Sequence, residues 1–211
     1  MQIFNAARLS ERDFNQILSF LRAGGVIGFP ADTAYGLGAD ASNESAIRRV
    51  FEIKGRAETK PVLLLVNSIE MAERLATVSE VARLLAARFW PGPLTMVLPS
   101  RSTVSRMLTA GSDSIGVRWP DAVFALRLIG GLGMPVTATS ANRSGMPAAA
   151  TADEVRSQLE GRLEMLIDGG TLPFPGGSTV LDLTGESPVL LREGPVSFNT
   201  LSEVLQRNIR R

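Results

Sequence analysis

Four clusters in this chain carry groups able to do chemistry. Lys54-Gly55-Arg56, with Lys60 nearby, puts three cations within seven positions. Cations so placed can bind a polyphosphate through charge-assisted hydrogen bonds. They also suit a solvated helix C-terminus, where they complement the dipole. Ser140-Ala141-Asn142-Arg143-Ser144-Gly145 is a run of small hydroxyl and amide groups. It can hold phosphate oxygens or a carboxylate, or form an ordinary turn. Asp32-Thr33, just after Pro30, reads as a substrate contact or an Asx turn. Ser178-Thr179 and Arg192 make the fourth cluster, and Arg118 ends another strand. Hydroxyls, amides, glycines and fixed positive charge suit phosphates and small zwitterions.

What is absent narrows the chemistry further. The 211 residues include no cysteine and no histidine. Thiolate catalysis, disulfides, zinc fingers and Fe–S ligation are excluded, as is any imidazole acid–base step. There is no GxxxxGK[ST] phosphate loop, and Gly36-Leu37-Gly38 lacks the third glycine of a dinucleotide fingerprint. Ser140 has no nucleophile elbow around it. Chemistry must come from carboxylates, Lys, Arg, hydroxyls, amides, backbone N–H groups or a metal carried by a ligand.

The net charge of +1 directs the chain to neither nucleic acid nor membrane as a whole, and 45% of residues are hydrophobic. The densest apolar run, Val62 to Val66, is far too short to span a bilayer. The N-terminal stretch lacks the pattern of a signal peptide. A soluble, cytoplasmic protein of one domain over residues 1–211 is expected. Arg207, Arg210 and Arg211 form a basic tail that suits a solvated end or an RNA contact.

These clusters need elements to position them. Ser10 and Asp13 form a capping box before an apolar face of Phe14, Ile17, Leu18 and Leu21, and Gly24-Gly25 ends that helix. Val26 to Phe29 reads as a strand, and Ala31 to Ala41, with two glycines, as a loop. Ser42 to Glu44 caps a helix ending near Lys54-Gly55. Val62 to Val66 suits a strand buried on both faces. Helices follow at about 69–76 and 80–89, with Ser79 as a cap. Strands follow at 94–98 and 115–118, then a helix from Asp121 to Ile129 halted by Gly130-Gly131. Val136 to Thr139 is a strand leading into a site loop, Ser140 to Ala150. A capping box at Thr151-Glu154 opens another helix, Leu163 to Ile167 is a strand, 180–183 and 189–192 form a hairpin, and 197–206 is the last helix. This alternation predicts an α/β fold: a twisted open mixed sheet with helices on its faces. Ligands then collect at strand C-terminal ends.

The clusters taken together resemble a known family. Phe29-Pro30-Ala31-Asp32-Thr33-Ala34-Tyr35-Gly36-Leu37-Gly38 is similar to an FPTDTVYGLG signature, and Lys54-Gly55-Arg56 with Lys60-Pro61-Val62 to a KxRxxxxPL segment. Trp90-Pro91-Gly92-Pro93-Leu94-Thr95, Gly116-Val117-Arg118-Trp119-Pro120, Thr139-Ser140-Ala141-Asn142-Arg143-Ser144-Gly145, Ser178-Thr179-Val180 and Leu191-Arg192-Glu193-Gly194 continue the pattern in order. These seven blocks resemble the YrdC-like threonylcarbamoyl-AMP synthases. The departures are Ala31 for a usual Thr, Ala34 for a common Val, and the stretch Pro173 to Gly177 for a glycine-rich approach. The chain ends soon after the last block, so the further C-terminal domain of longer members is expected to be missing.

The resemblance implies a large, positively charged cavity and a nucleotidyltransferase reaction. ATP, L-threonine and bicarbonate or CO2 become threonylcarbamoyl-AMP and pyrophosphate, for N6-threonylcarbamoyladenosine in tRNA. It implies catalytic roles for Lys54 and Arg56, and threonine contacts from Thr33, Arg118 and Ser178. Nucleotide contacts would come from Arg56, Lys60, Ser114, Ser140, Asn142, Thr151 and Arg192. Magnesium would arrive with ATP, with no protein metal site and no organic cofactor. The implied partners are the substrates, a downstream threonylcarbamoyl transferase complex and, as an open alternative, tRNA itself. A catalytically inactive module of the same fold binding tRNA or double-stranded RNA is the competing reading. A domain of a hydrogenase-maturation carbamoyltransferase fits less well, since the chain has no cysteines for that protein's zinc fingers.

Overall fold

The computed structural model describes residues 1–57, 59–173, 176–206 and 208–211. Arg207 of the basic tail, and Phe174 and Pro175 of the loop before Ser178, lie outside the described residues. In chain order the elements begin with β1 (Gln2–Asn5), α1 (Glu11–Arg22), β2 (Ile27–Pro30), β3 (Tyr35–Gly38), α2 (Glu44–Lys54), β4 (Leu64–Leu65) and α3 (Ile69–Leu75). Next come α4 (Glu80–Phe89), β5 (Leu94–Pro99), β6 (Ser114–Arg118), α5 (Val123–Leu132), β7 (Val136–Thr137) and β8 (Thr139–Ser140). The chain closes with α6 (Ala152–Leu159), β9 (Met165–Asp168), β10 (Thr179–Asp182), β11 (Val189–Arg192) and α7 (Phe198–Leu205).

The strands form two mixed sheets where the sequence suggested one. The first runs β1-β9-β2-β3-β8 and the second β11-β10-β5-β6-β4-β7. The expected strand 136–139 is split between them: β7 pairs with β4 in the second sheet, and β8 pairs with β3 in the first. Ala138 is the crossing point. The inner strands β2 and β3 of the first sheet are buried on both faces, while the edge strand β1 is largely exposed. In β9, Met165 and Ile167 join one core cluster and Leu166 the other, the period of two that a pleated strand imposes.

Helix ends follow their side chains. The Ser10–Asp13 capping box is present. Within the expected cap Ser42 to Glu44, Asn43 caps α2 by accepting from the Ser45 and Ala46 N–H groups, and Gly55 ends it at φ 60°. Helix α5 begins at Val123 and runs through Gly130-Gly131 to stop at Gly133, φ 69°. Gly131 lies where α5 meets α1, and a Cβ there would sit 2.8 Å from Leu18 Cδ1. Gly131 therefore serves close helix packing, and the glycine pair is not a stop. Among the described residues no helix is long and apolar enough to cross a membrane.

Candidate functional site

A cavity of about 340 Å³ opens between the two sheets. The first sheet supplies the turn after β2 (Thr33), the start of β3 (Tyr35) and strand β8 (Ser140). The second supplies Thr95 on β5, Ser114 and Arg118 on β6, Ser178 before β10, and Arg192 on β11. Arg56, just past α2, completes the wall. Among the described residues three arginines line this space and no Asp or Glu does.

Arg118 is 4% exposed. Its Nη1 donates to Thr33 Oγ1 at 3.1 Å and lies 3.3 Å from Asp32 Oδ1. Asp32 Oδ1 carries no hydrogen bond, so that contact is charge attraction alone. Asp32 Oδ2 accepts from the Asp121 N–H at 3.4 Å. Burial pulls the Arg118 pKa down, Asp32 pushes it back up, and the Arg192 charge pulls it down again. Arg118 Nε is buried without a partner. A buried guanidinium with spare donors beside a hydroxyl suits a carboxylate ligand.

Arg192 reaches back across the β10–β11 pair. Its Nε donates to Ser178 O at 2.8 Å and its Nη2 to Ser178 Oγ at 3.3 Å. Ser178 Oγ and Thr95 Oγ1 share a hydrogen bond of 2.8 Å. Gly194 makes this turn possible, since a Cβ there would lie 2.7 Å from Thr179 N and 2.8 Å from Ser178 C. Arg56 donates through Nη1 to Thr139 Oγ1 at 3.1 Å and through Nη2 to Pro61 O at 2.8 Å, leaving a buried Nε without a partner. Burial lowers the pKa of both Arg56 and Arg192. Tyr35 accepts from the Gly169 N–H at 2.9 Å and donates to Gly170 O at 2.8 Å. Burial first, and the nearby Asp168 carboxylate, hold its hydroxyl up at about 12, so it is a neutral strut.

The structure thus brings Thr33, Arg56, Ser114, Arg118, Ser140, Ser178 and Arg192 to one cavity. Four other expected contacts are placed differently. Lys54 is buried behind the wall and does not line the cavity. Its Nζ donates to Ser140 O at 2.5 Å, Asn142 Oδ1 at 2.7 Å, Ser140 Oγ at 3.1 Å and Asn142 O at 3.3 Å. This geometry makes Lys54 a positioning residue for the Ser140–Asn142 turn. Burial, then the Arg56 charge, lowers its pKa to about 7. Asn142 is spent inside the same turn, with Oδ1 on Lys54 and Nδ2 donating to the Arg143 and Met146 carbonyls. Thr151 caps α6 by accepting from the Glu154 N–H at 3.2 Å, outside the lining. Lys60 is exposed and also outside it.

The sequence suggested no role for Thr95, and for Asp32 a substrate contact or an Asx turn but not the pairing with Arg118. Thr95 had a signal, for in the strand Leu94–Pro99 the alternation places Thr95 and Val97 together on the cavity face. Nothing local marks Asp32 as the partner of an arginine 86 positions later.

The family model Sua5/YciO/YrdC, described as telomere recombination, matches residues 19–194. The chain is 42% identical over 199 residues to threonylcarbamoyl-AMP synthase of Pyrococcus abyssi, covering 94% of this chain and 58% of that protein. It is 38% identical over 192 residues to threonylcarbamoyl-AMP synthase of Bacillus subtilis, covering 90% of this chain and 56% of that one. The chain thus spans less than three fifths of the length of these two relatives. The crystal structure of P. abyssi Sua5 complexed with L-threonine superposes with a TM-score of 0.93 at 41% identity, over 100% of this chain and 63% of the other.

Proposed function

The chain belongs to the Sua5/YciO/YrdC family, and on that premise we propose that it makes threonylcarbamoyl-AMP and pyrophosphate from ATP, L-threonine and bicarbonate or CO2. In this reading it is a nucleotidyltransferase acting in the cytoplasm, and its product supplies a transferase that modifies tRNA. The observation that carries it is the cavity itself: three arginines with no acidic neighbour in the lining, one of them paired to the Thr33 hydroxyl.

The reaction balances without a protein nucleophile. The threonine amine attacks the carbon of CO2, forming a C–N bond and releasing a proton to solvent. A carbamate oxygen then attacks the α-phosphorus, and the bond to the β-phosphate breaks as pyrophosphate leaves. Displacement at phosphorus depends on positioning and charge neutralisation. Arg118 and Thr33 hold the threonine carboxylate, with Asp32 orienting Arg118. Ser178 faces the threonine or its carbamate. Arg56 takes the phosphates, with Ser114, Ser140 and Arg192 completing the nucleotide site. Lys54 acts through the Ser140–Asn142 turn it holds. Magnesium enters as part of the ATP substrate, bound to phosphate oxygens and water.

The test is pyrophosphate release from ATP and bicarbonate, with and without L-threonine. Threonine-dependent release with a threonylcarbamoyl-AMP mass peak is expected. Folded protein that binds tRNA and releases no pyrophosphate would overturn the reading in favour of an RNA-binding module.

A further inference from the structure

A second cavity, of about 410 Å³, lies against the opposite face of β4. Leu63 lines the first cavity and Leu64 the second, the alternation expected of extended chain. The segment around β7 and β8 is shared in the same way. Met134 and Pro135 line the second cavity, while Ala138, Thr139 and Ser140 line the first. Two segments of chain therefore touch both spaces.

The chemistry of the second cavity differs from that of the first. Its floor is apolar, with Leu64, Met71, Val104 and Leu108 all buried. Arg74 is exposed at its wall, and its guanidinium carries no hydrogen bond or ion pair among the described residues. Nearby acids are engaged elsewhere: Glu73 pairs with Arg83, and Asp40 accepts from the Ser42 N–H and hydroxyl. Glu70, one turn before Arg74 on α3, is fully exposed to solvent; its own backbone N–H and the Ser68 hydroxyl hold its carboxyl low, and the Arg74 and Arg83 charges add to this through water. An apolar space with one solvent-facing cation at its wall, free of hydrogen bonds among the described residues, complements an amphipathic monoanion.

We propose that this second cavity binds a medium-chain alkyl carboxylate, with the alkyl chain over Leu64 and Leu108 and the carboxylate on Arg74, and that its occupancy is coupled to the first cavity through the two shared segments. The coupling arm rests on the nucleotide reading of the first cavity. The binding arm does not.

The full chain would be titrated calorimetrically with hexanoate, octanoate and decanoate, all below their micellar concentrations. Burial of each methylene should tighten binding about fourfold, and decanoate should outbind decanol about tenfold. Arg74→Gln, at an exposed position, should erase the preference for the acid over the alcohol. Ala41→Leu, which adds bulk to the lining, should abolish binding. With both ligands present, MgATP and decanoate should each change the other's Kd by the same factor, about fivefold or more. No saturable binding, binding indifferent to chain length, or an acid preference surviving Arg74→Gln would overturn the site. Simple displacement of decanoate by MgATP would place the chain in the first cavity and overturn it too. A decanoate Kd unmoved by bound MgATP would overturn the coupling.

Discussion

Arg118 and Thr33 are joined across the two sheets, Nη1 donating to Oγ1 at 3.1 Å. Arg118 ends β6 of the second sheet, and Thr33 lies in the turn after β2 of the first. The bond joins two lining residues of the cavity and fixes a guanidinium whose Nε has no partner among the described residues. A turn on one sheet thereby sets the aim of a cation on the other.

The first prediction concerns that cation. Arg118→Lys keeps a positive charge beside Asp32 and so spares the buried acid an uncompensated neighbour. It removes the planar fork that can meet a carboxylate through two bonds. Hydrogen bonds to charged groups contribute about 1.5–3 kcal/mol, so threonine affinity should fall about 10- to 150-fold with little change in melting temperature. Calorimetric titration with L-threonine measures this. Wild-type affinity in the variant would remove Arg118 from the threonine site.

Which parts of this arrangement could be read from the chain depends on how local their cause is. Ser10, Ser79 and Ser197 act as caps because a capping hydrogen bond spans only three residues. The motif pattern carried Thr33, Arg56, Arg118 and Arg192 to the cavity. Strand β3 was read as loop because of Gly36 and Gly38. Those glycines answer to Phe29 on the neighbouring strand: a Cβ at Gly38 would lie 2.8 Å from its Cε1. The second sheet was hidden for a similar reason, since Val136 to Thr139 looks like one strand until its partners are known. Lys54 was misplaced because its spacing to Arg56 describes the surface of a helix end. The carbonyls and amide that claim it come from 86 to 88 positions later.

Lys54 gives the second prediction. With its pKa lowered to about 7, it is largely neutral in the free protein at pH 8.5, whereas the unfolded chain would hold the proton to pH 10 or so. A polyphosphate arriving at Arg56 and Ser140 adds negative charge beside Nζ and raises that pKa. Binding of MgATP should therefore take up protons between about pH 7 and 10, and affinity should fall as pH rises through that window. Titrations at pH 8.5 in Tris and in HEPES, whose ionisation heats differ, count the protons. Lys54→Met should abolish the uptake. The same linkage makes wild-type folding stability increase with pH from about 7 to 10, a slope Lys54→Met should flatten. Equal heats in both buffers for the wild type would refute the placement.

The third prediction separates the Thr95–Ser178 pair from its surroundings. Thr95→Val preserves shape and removes the hydroxyl 2.8 Å from Ser178 Oγ. Among the described residues, the Ser178 hydroxyl then keeps only the Arg192 guanidinium, at 3.3 Å, as a side-chain hydrogen-bond partner. A neutral hydrogen bond is worth about 1 kcal/mol, so kcat/KM for pyrophosphate release should drop about fivefold. Ser178→Ala should cost more, and the double variant little beyond Ser178→Ala alone. Strict additivity of the two losses would mean that Thr95 acts without Ser178.

Two adjacent glycines in α5 should respond to alanine in opposite directions. Both lie in a helix interior, where alanine is favoured over glycine by about 1 kcal/mol. Around Gly130, a new Cβ meets only Asn67 Nδ2 at 3.9 Å, an ordinary contact. Gly130→Ala should therefore raise stability by about 0.5–1 kcal/mol. At Gly131 the same methyl would lie 2.8 Å from Leu18 Cδ1, 3.0 Å from Leu18 Cδ2 and 3.2 Å from Phe14 Cε1. Leu18 and Phe14 are both buried on α1, and Phe14 packs edge-on against Phe124 at 6.5 Å, so neither can yield freely. Overpacking of a tight core costs about 1–3 kcal/mol, which outweighs the propensity gain, and Gly131→Ala should lower stability. Urea unfolding of both variants decides it. A gain at both positions would mean that α1 and α5 can part without penalty, and that propensity alone governs this helix.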